Sequence, residues 1–216
     1  MNHICHFIIT GAATLCALSP ALAAQAVKPP VATVAEVKGT VFISSAENGA
    51  FIKTFKGMPL GADQKIAPLS GAQIHIALKG ATLHIPAQTE VLLGGYGLDD
   101  AGKPVGYGLR LLRGFVKVTV DKTAPAHTNI AVNTPVGLAH LSPKAGEPTT
   151  FIVEVRPEGT TAASINGCCA KLATQGGAIE LAGEHRLSLA TSRLAPPAAP
   201  VTTPPEWLAE IAKTLE

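Results

Sequence analysis

Short apolar runs separated by turn residues constrain this chain more than any other feature of its sequence. Runs rich in Val, Ile, Leu and Thr recur throughout, and Gly, Pro, Asn or Asp ends each of them. In the run FVKVTV at residues 115–120, the valines share one face, opposite Lys117 and Thr119. Residues 151–155 alternate in the same way, which is typical of strands with one packed and one solvated face. The sequence therefore predicts an all-β protein, either a rolled β-sandwich or a short β-solenoid-like domain.

Turn residues divide the predicted strands. Arg113-Gly114 separates two apolar runs and predicts a tight reversal, because glycine permits positive φ. Asn48-Gly49, Lys79-Gly80 and Asn166-Gly167 predict further turns. The strands are expected at residues 34–44, 51–55, 73–78, 82–85, 90–93, 107–112, 115–120, 129–132, 151–156, 161–165, 170–172, 178–181 and 184–190.

The first 26 residues have the pattern of a secretory signal peptide. An apolar stretch covers residues 7–24, Pro20 lies near its end, and small residues precede the expected cleavage site. Cleavage would leave a periplasmic or secreted protein without a transmembrane span. A retained membrane anchor is the alternative, because no Lys or Arg precedes the apolar stretch. Lipidation at Cys16 is a further alternative, which the bulky Leu15 disfavours.

Charge and motif content argue against several functional classes. The net charge is +2, only 15% of residues are charged, and no Lys/Arg cluster marks a nucleic-acid binder. Aromatic residues make up 4% of the chain, too few for stacking platforms. The sequence contains no Gly-x-Ser-x-Gly, no His-Glu-x-x-His and no phosphate-binding Walker loop. We therefore expect a protein that is not an enzyme and has no cofactor.

The carboxyl-terminal part differs in composition from the β-rich part at residues 31–194. Residues 195–205 form a Pro- and Ala-rich run that predicts an extended linker. Residues 206–216 then predict a short helix. An isolated helix of this length is marginal in water, so it should dock on its own β-domain or on a partner. The residues expected to make that contact are Trp207, Leu208, Ile211 and Leu215.

An ordered set of motifs resembles the FecR-domain family, periplasmic β-domains found in iron-signalling regulators and in stand-alone exported proteins. The motifs are VKGTV at 37–41, GMPLG at 57–61 with Ile66, GAQIHI at 71–76 with GATL at 80–83, LLRGFV at 111–116, NTPV at 133–136, and FIVE at 151–154 with LAGE at 181–184. Lys79 replaces the usual turn Asp, and the loop before Phe151 departs from the family pattern.

This resemblance implies a β-domain that binds partners in the cell envelope. The family's regulators also carry an anti-sigma segment and a membrane helix, and we expect neither of them in this chain. We therefore expect an exported, non-enzymatic module for protein–protein interaction or ligand sensing, with an unidentified envelope protein as partner. Two alternatives stay open: a structural component of an envelope or surface-assembly system, and a weak metal-binding protein.

His75 and His84 are the candidate metal ligands. If Lys79-Gly80 is a two-residue hairpin loop, Leu78 faces Ala81 and the two histidines lie opposite each other, on the outward face. Paired imidazoles can bind Zn²⁺ or Cu²⁺, although a closed site needs more ligands. The alternative is a pair of solvated histidines.

Adjacent cysteines at positions 168 and 169 offer a second candidate site. Neighbouring residues on a strand point to opposite faces, so one thiol would be buried and the other exposed. A redox switch or a thiolate ligand is the functional interpretation, and a small core residue with an incidental neighbour is the structural one. No Cys-x-x-Cys is present to favour the first.

Overall fold

A computed structural model describes residues 30–45, 49–98, 104–124, 128–142, 146, 149–165, 169–174, 177–182, 185–190 and 201–202. These ranges contain 17 β-strands and no helix, which confirms the all-β prediction. No helix in them could therefore cross a membrane. The predicted signal peptide and the predicted helix at 206–216 lie outside the described residues.

The strands follow the turn pattern of the sequence closely. In chain order they are β1 (Ala32–Lys38), β2 (Val41–Ser45), β3 (Phe51–Lys53), β4 (Pro59–Leu60), β5 (Gln64–Pro68), β6 (Gln73–Leu78), β7 (Ala81–Ile85), β8 (Glu90–Leu98), β9 (Pro104–Val120), β10 (Asn129–Asn133), β11 (Leu138–Ser142), β12 (Thr149–Arg156), β13 (Gly159–Ile165), β14 (Cys169–Thr174), β15 (Gly177–Ala182), β16 (His185–Ala190) and β17 (Val201–Thr202).

Strand pairing organises the chain into two layers that share β9. The first layer has the order β4-β1-β6-β7-β9-β12-β13-β16-β17. The second has the order β3-β2-β5-β8-β9-β10-β11-β14-β15. Neighbouring strands are antiparallel except β9 and β10, which are parallel. The sheet is thus mixed and open, with β3 and β4 at one end and β15 and β17 at the other.

β9 joins the two layers, and the tight reversal expected at Gly114 was wrong. Up to Arg113 the strand pairs with β8 in the second layer, and from Gly114 onward it pairs with β12 in the first. Gly114 has φ +79°, so the chain bends there and continues as one strand. The positive φ of Gly114 therefore allows a bend between the two layers. The chain does not reverse there, because the apolar runs before and after Gly114 pair with different strands and not with each other.

One apolar core lies between the layers. Alternate residues of β6 and β7 point into it, as the sequence predicts: Ile74 and Ile76 are buried, and so are Leu83 and Ile85. The second layer contributes a matching set of side chains to the same cluster, including Val41, Ile43, Ile66, Val91, Leu109, Leu111, Ile130, Val132 and Leu141.

β12 departs from the predicted alternation, because both of its faces are buried. Phe151 and Val153 face the core as expected, but Ile152 and Glu154 are buried as well. The register places Ile152 beside Lys117 and Glu154 beside Phe115 on the neighbouring β9. The aliphatic stem of a lysine and an aromatic ring can cover such positions, so the wet face expected here is covered.

Other differences concern strand limits. The single run expected at 34–44 is divided into β1 and β2 at Gly39, whose φ is +78°. β4, β5 and β11 were missed, since they contain Pro, Ala and polar residues rather than continuous β-branched runs. Val201–Thr202, inside the predicted linker, pairs with β16 as β17.

Candidate functional site

The largest exposed apolar side chains gather at the β3 end of the second layer. Phe42, Phe51, Ala67 and Leu69 line one shallow depression, here called the edge patch. Phe51 is 61% exposed and Leu69 is 50% exposed. The rings of Phe42 and Phe51 meet edge to face, with centroids 6.4 Å apart at 82°. Scattered exposed apolar residues are ordinary, but a cluster of this kind is a candidate interaction site.

Strand register produces the edge patch. Phe42 lies opposite Ala67 of β5, and Ser44 lies opposite Phe51 of β3, so these side chains share the outward face. The neighbouring Ile43 and Ile66 point inward and are fully buried. Two more large apolar residues, Ile52 and Phe55, are exposed in or next to β3.

The outer edge of β3 is open among the described residues, because its only strand partner there is β2. The amide of Thr54 donates to the carbonyl of Val41 at 2.9 Å. Backbone groups of an antiparallel strand alternate between its two sides, so those of Phe51 and Lys53 face away from β2. The edge strand of the first layer, β4, begins instead with Pro59, which has no N–H to offer. β3 is therefore the better edge for an added strand.

The charges around the edge patch are mainly positive. Neither Lys53 nor Lys56 has a carboxylate partner within the part of the chain that the structure describes. Lys65 is paired with Glu90, which also accepts from Arg113 Nε at 3.1 Å. The rim of the patch therefore favours a partner that carries carboxylates.

A larger cleft of about 710 Å³ adjoins the patch, and Leu69 lines both. Its walls come from both layers where β9 bends at Gly114. Arg113, Glu154 and Arg156 line it, and Arg156 Nε donates to Glu154 Oε1 at 2.6 Å. The cleft extends the exposed surface beyond β3 and brings a second arginine, Arg113, beside that pair.

The histidine pair has the predicted register. Leu78 lies opposite Ala81 and His75 opposite His84, across the Lys79-Gly80 turn. The two rings have centroids 4.2 Å apart at an interplanar angle of 64°. Both side chains are partly buried.

Burial first, and then repulsion from His75 and Lys117, together lower the pKa of His84 from 6.5 to about 4. His84 Nε2 lies 2.6 Å from Gln73 Oε1, a carbonyl oxygen that can only accept, so Nε2 carries the proton. Glu36 of β1 faces the other ring, with its Oε2 3.5 Å from His75 Nδ1. His75 Nε2 is buried and has no hydrogen-bond partner among the described residues.

The remaining candidate residues are those of the predicted helix and the adjacent cysteines. Trp207, Leu208, Ile211, Leu215 and Cys168 are outside the described residues. The backbone of Cys169 begins β14 and pairs with Ser142 and Ala182.

The edge patch itself was missed in the sequence. A signal was present, because the run FIKTF at 51–55 has large apolar residues on both of its faces, which a strand with one wet face lacks. Leu69 could not be added to the set, since only the β2–β5 pairing brings it near.

Comparison with known proteins shows similarity of fold. No protein-family model and no curated protein sequence matches the chain. Two crystal structures of a candidate anti-sigma factor from Parabacteroides distasonis ATCC 8503 are similar. One has a TM-score of 0.52 at 11% identity, over 68% of this chain and 64% of that chain. The other has a TM-score of 0.51 at 11% identity, over 67% and 62%. The match thus spans less than two thirds of those proteins, and it concerns the β-architecture alone.

Proposed function

We propose that this chain is an exported, non-enzymatic protein-binding module of the cell envelope, FecR-like in fold. It binds an extended segment of a partner protein at the edge patch. The observation that carries the proposal is the edge patch, where the exposed Phe51 and Leu69 share one depression with Phe42 beside an open strand edge. Full burial of such a side chain contributes about 1.5–3 kcal/mol, so a partner that covers two or three of them gains useful affinity.

The chemistry of the partner follows from the edge and its rim. A strand added to β3 would hydrogen-bond with the outward backbone groups of Phe51 and Lys53, and its apolar side chains would cover the patch. Lys53 and Lys56 favour carboxylates in the same segment. The partner segment is therefore extended, with apolar residues alternating with acidic ones.

The fold comparison supports a regulatory role of this kind, since the similar structures are described as candidate anti-sigma factors. A structural role in an envelope assembly is the competing function. It would use the same edge, with a second copy of the chain as the occupant.

A capture experiment tests the proposal. Wild-type protein, the double variant Phe51→Ser/Leu69→Ser and the control Leu138→Ser are immobilised and exposed to envelope extract. Leu138 is a suitable control because it is an exposed apolar residue of β11, away from the patch. Thermal unfolding verifies that each variant is folded.

We expect a partner that wild type and Leu138→Ser retain and the double variant loses. With the purified partner, the double variant should bind about 10- to 100-fold more weakly, as for the loss of central apolar contacts in an interface. Equal binding by the double variant, or no specific partner for wild type, would refute the proposal. Recovery of only the chain itself would favour the assembly role.

A further inference from the structure

The histidine pair on the outer face of the first layer is chemically independent of the edge patch. We propose that His75 and His84 bind a divalent transition metal ion of the Zn²⁺ or Cu²⁺ class through one imidazole nitrogen each. The β6–β7 register holds the two rings opposite each other, with centroids 4.2 Å apart. Two ligands on adjacent strands of a sheet are positioned before the metal arrives, which lowers the cost of ordering them.

His84 presents a lone pair at Nδ1. Its Nε2 proton is donated to Gln73 Oε1 at 2.6 Å, so the other ring nitrogen is unprotonated in the neutral imidazole.

His75 presents the complementary lone pair at Nε2. The Glu36 carboxylate, 3.5 Å from Nδ1, favours a proton on Nδ1 and leaves Nε2 as the unprotonated nitrogen. That nitrogen is buried without a hydrogen-bond partner among the described residues. An unsatisfied buried polar atom is destabilising, and coordination to a metal ion would satisfy it.

Glu36 and Gln73 thus act as orienting residues rather than ligands. Each accepts the proton of the nitrogen that does not coordinate, an arrangement that metal-binding histidines commonly have. Within the described ranges no three His, Cys, Asp or Glu residues come together as a ligand set, so the pair supplies only two of the ligands. Water or a group from a partner would complete the coordination.

The metal class follows from the donors. Imidazole nitrogen suits Zn²⁺, Cu²⁺ and Ni²⁺, whereas Ca²⁺ and Mg²⁺ require oxygen ligands. Lys117 lies opposite His84 across the β7–β9 pairing, and its positive charge opposes binding of a cation. The affinity is therefore modest, and removal of the Lys117 charge should raise it.

Titration with Zn²⁺ tests the site. Zn²⁺ is a better probe than Cu²⁺, because it has no redox chemistry of its own. Calorimetry measures the affinity of the full chain, and nitrogen-detected NMR of the histidine side chains identifies the ligands. The variants are His75→Gln, His84→Gln and Lys117→Met, with His140→Gln on β11 as the matched control.

We expect saturable Zn²⁺ binding that shifts the His75 Nε2 and His84 Nδ1 resonances first. Affinity should fall at least tenfold in His75→Gln and His84→Gln, stay unchanged in His140→Gln and rise in Lys117→Met. The site is refuted if wild type shows no saturable binding, or if the two histidine variants bind as wild type does. Circular dichroism of each variant separates loss of the ligand from loss of the fold.

Discussion

Gly114 of β9 lies so close to Thr89 that no side chain fits between them. A Cβ on Gly114 would lie 2.7 Å from the Thr89 Cα and 2.5 Å from its hydroxyl oxygen. That hydroxyl in turn accepts from the Phe115 amide at 3.2 Å. The contact fixes the point at which β9 leaves the second layer and enters the first, so both layers depend on it.

Replacement of this glycine should therefore weaken the whole domain. We expect Gly114→Ala to lower the free energy of unfolding by about 2–4 kcal/mol, from positive-φ strain and the clash with Thr89. Chemical denaturation measures the change. Gly61→Ala is the matched control, because a Cβ there meets nothing within 4 Å and should cost little. Equal stability of Gly114→Ala and wild type would contradict the bend as described.

Core and surface positions of β5 and its following turn should respond in opposite ways. Ile66 is fully buried, so Ile66→Ala should cost about 2–4 kcal/mol of stability from lost burial and a cavity. Leu69 is half exposed, so Leu69→Ala should change stability by no more than about 0.5 kcal/mol. Thermal unfolding compares the two. A large loss in Leu69→Ala would mean that this residue serves the core rather than an interface.

Stability of the metal-free protein should depend on His84 in mildly acidic solution. The pKa of His84 is 6.5 when solvated and about 4 in the fold, so the folded state resists protonation. The resulting stability is complete above pH 6.5 and is lost as the pH falls toward 4, since the unfolded chain then binds the proton.

Because His84 is only half-buried, solvent screening reduces this contribution to about 1–2 kcal/mol. Denaturation in EDTA between neutral pH and pH 4 should therefore show a smaller loss for His84→Gln than for wild type. If the free energy of unfolding depended on pH equally in the two proteins, the His84 ring would not be protected from protonation in the fold. The charged groups that face the pair are Glu36 and Lys117.

The hairpin of β6 and β7 was predictable to the residue. A two-residue loop at Lys79-Gly80 fixes the register by itself, and alternation then decides which side chains point inward. Local sequence therefore established that His75 faces His84. The partial burial of the pair and its contact with Glu36 were not predictable, because they depend on the pairing of β1 with β6.

The bend at Gly114 could not be predicted either, because it also depends on distant strand pairing. Arg-Gly between two apolar runs is compatible with a reversal or with a bend, and only the distant partners Thr89 and β12 decide between them. The edge patch likewise assembles from β2, β3 and the turn after β5, which are brought together by the β2–β3 and β2–β5 pairings. Local patterns thus predicted the fold class and the register of the histidine pair, whereas longer-range pairing assembles the edge patch.

Site-specific photo-cross-linking tests the central claim, protein binding at the edge patch, most directly. A photoreactive phenylalanine analogue replaces Phe51 in one protein and Leu138 in another, and both are irradiated in cells that produce the chain. Both positions are exposed, so both probes reach solvent. The account predicts one discrete adduct with an envelope protein at position 51 and none at position 138. No adduct at position 51, or the same adducts at both positions, would contradict it.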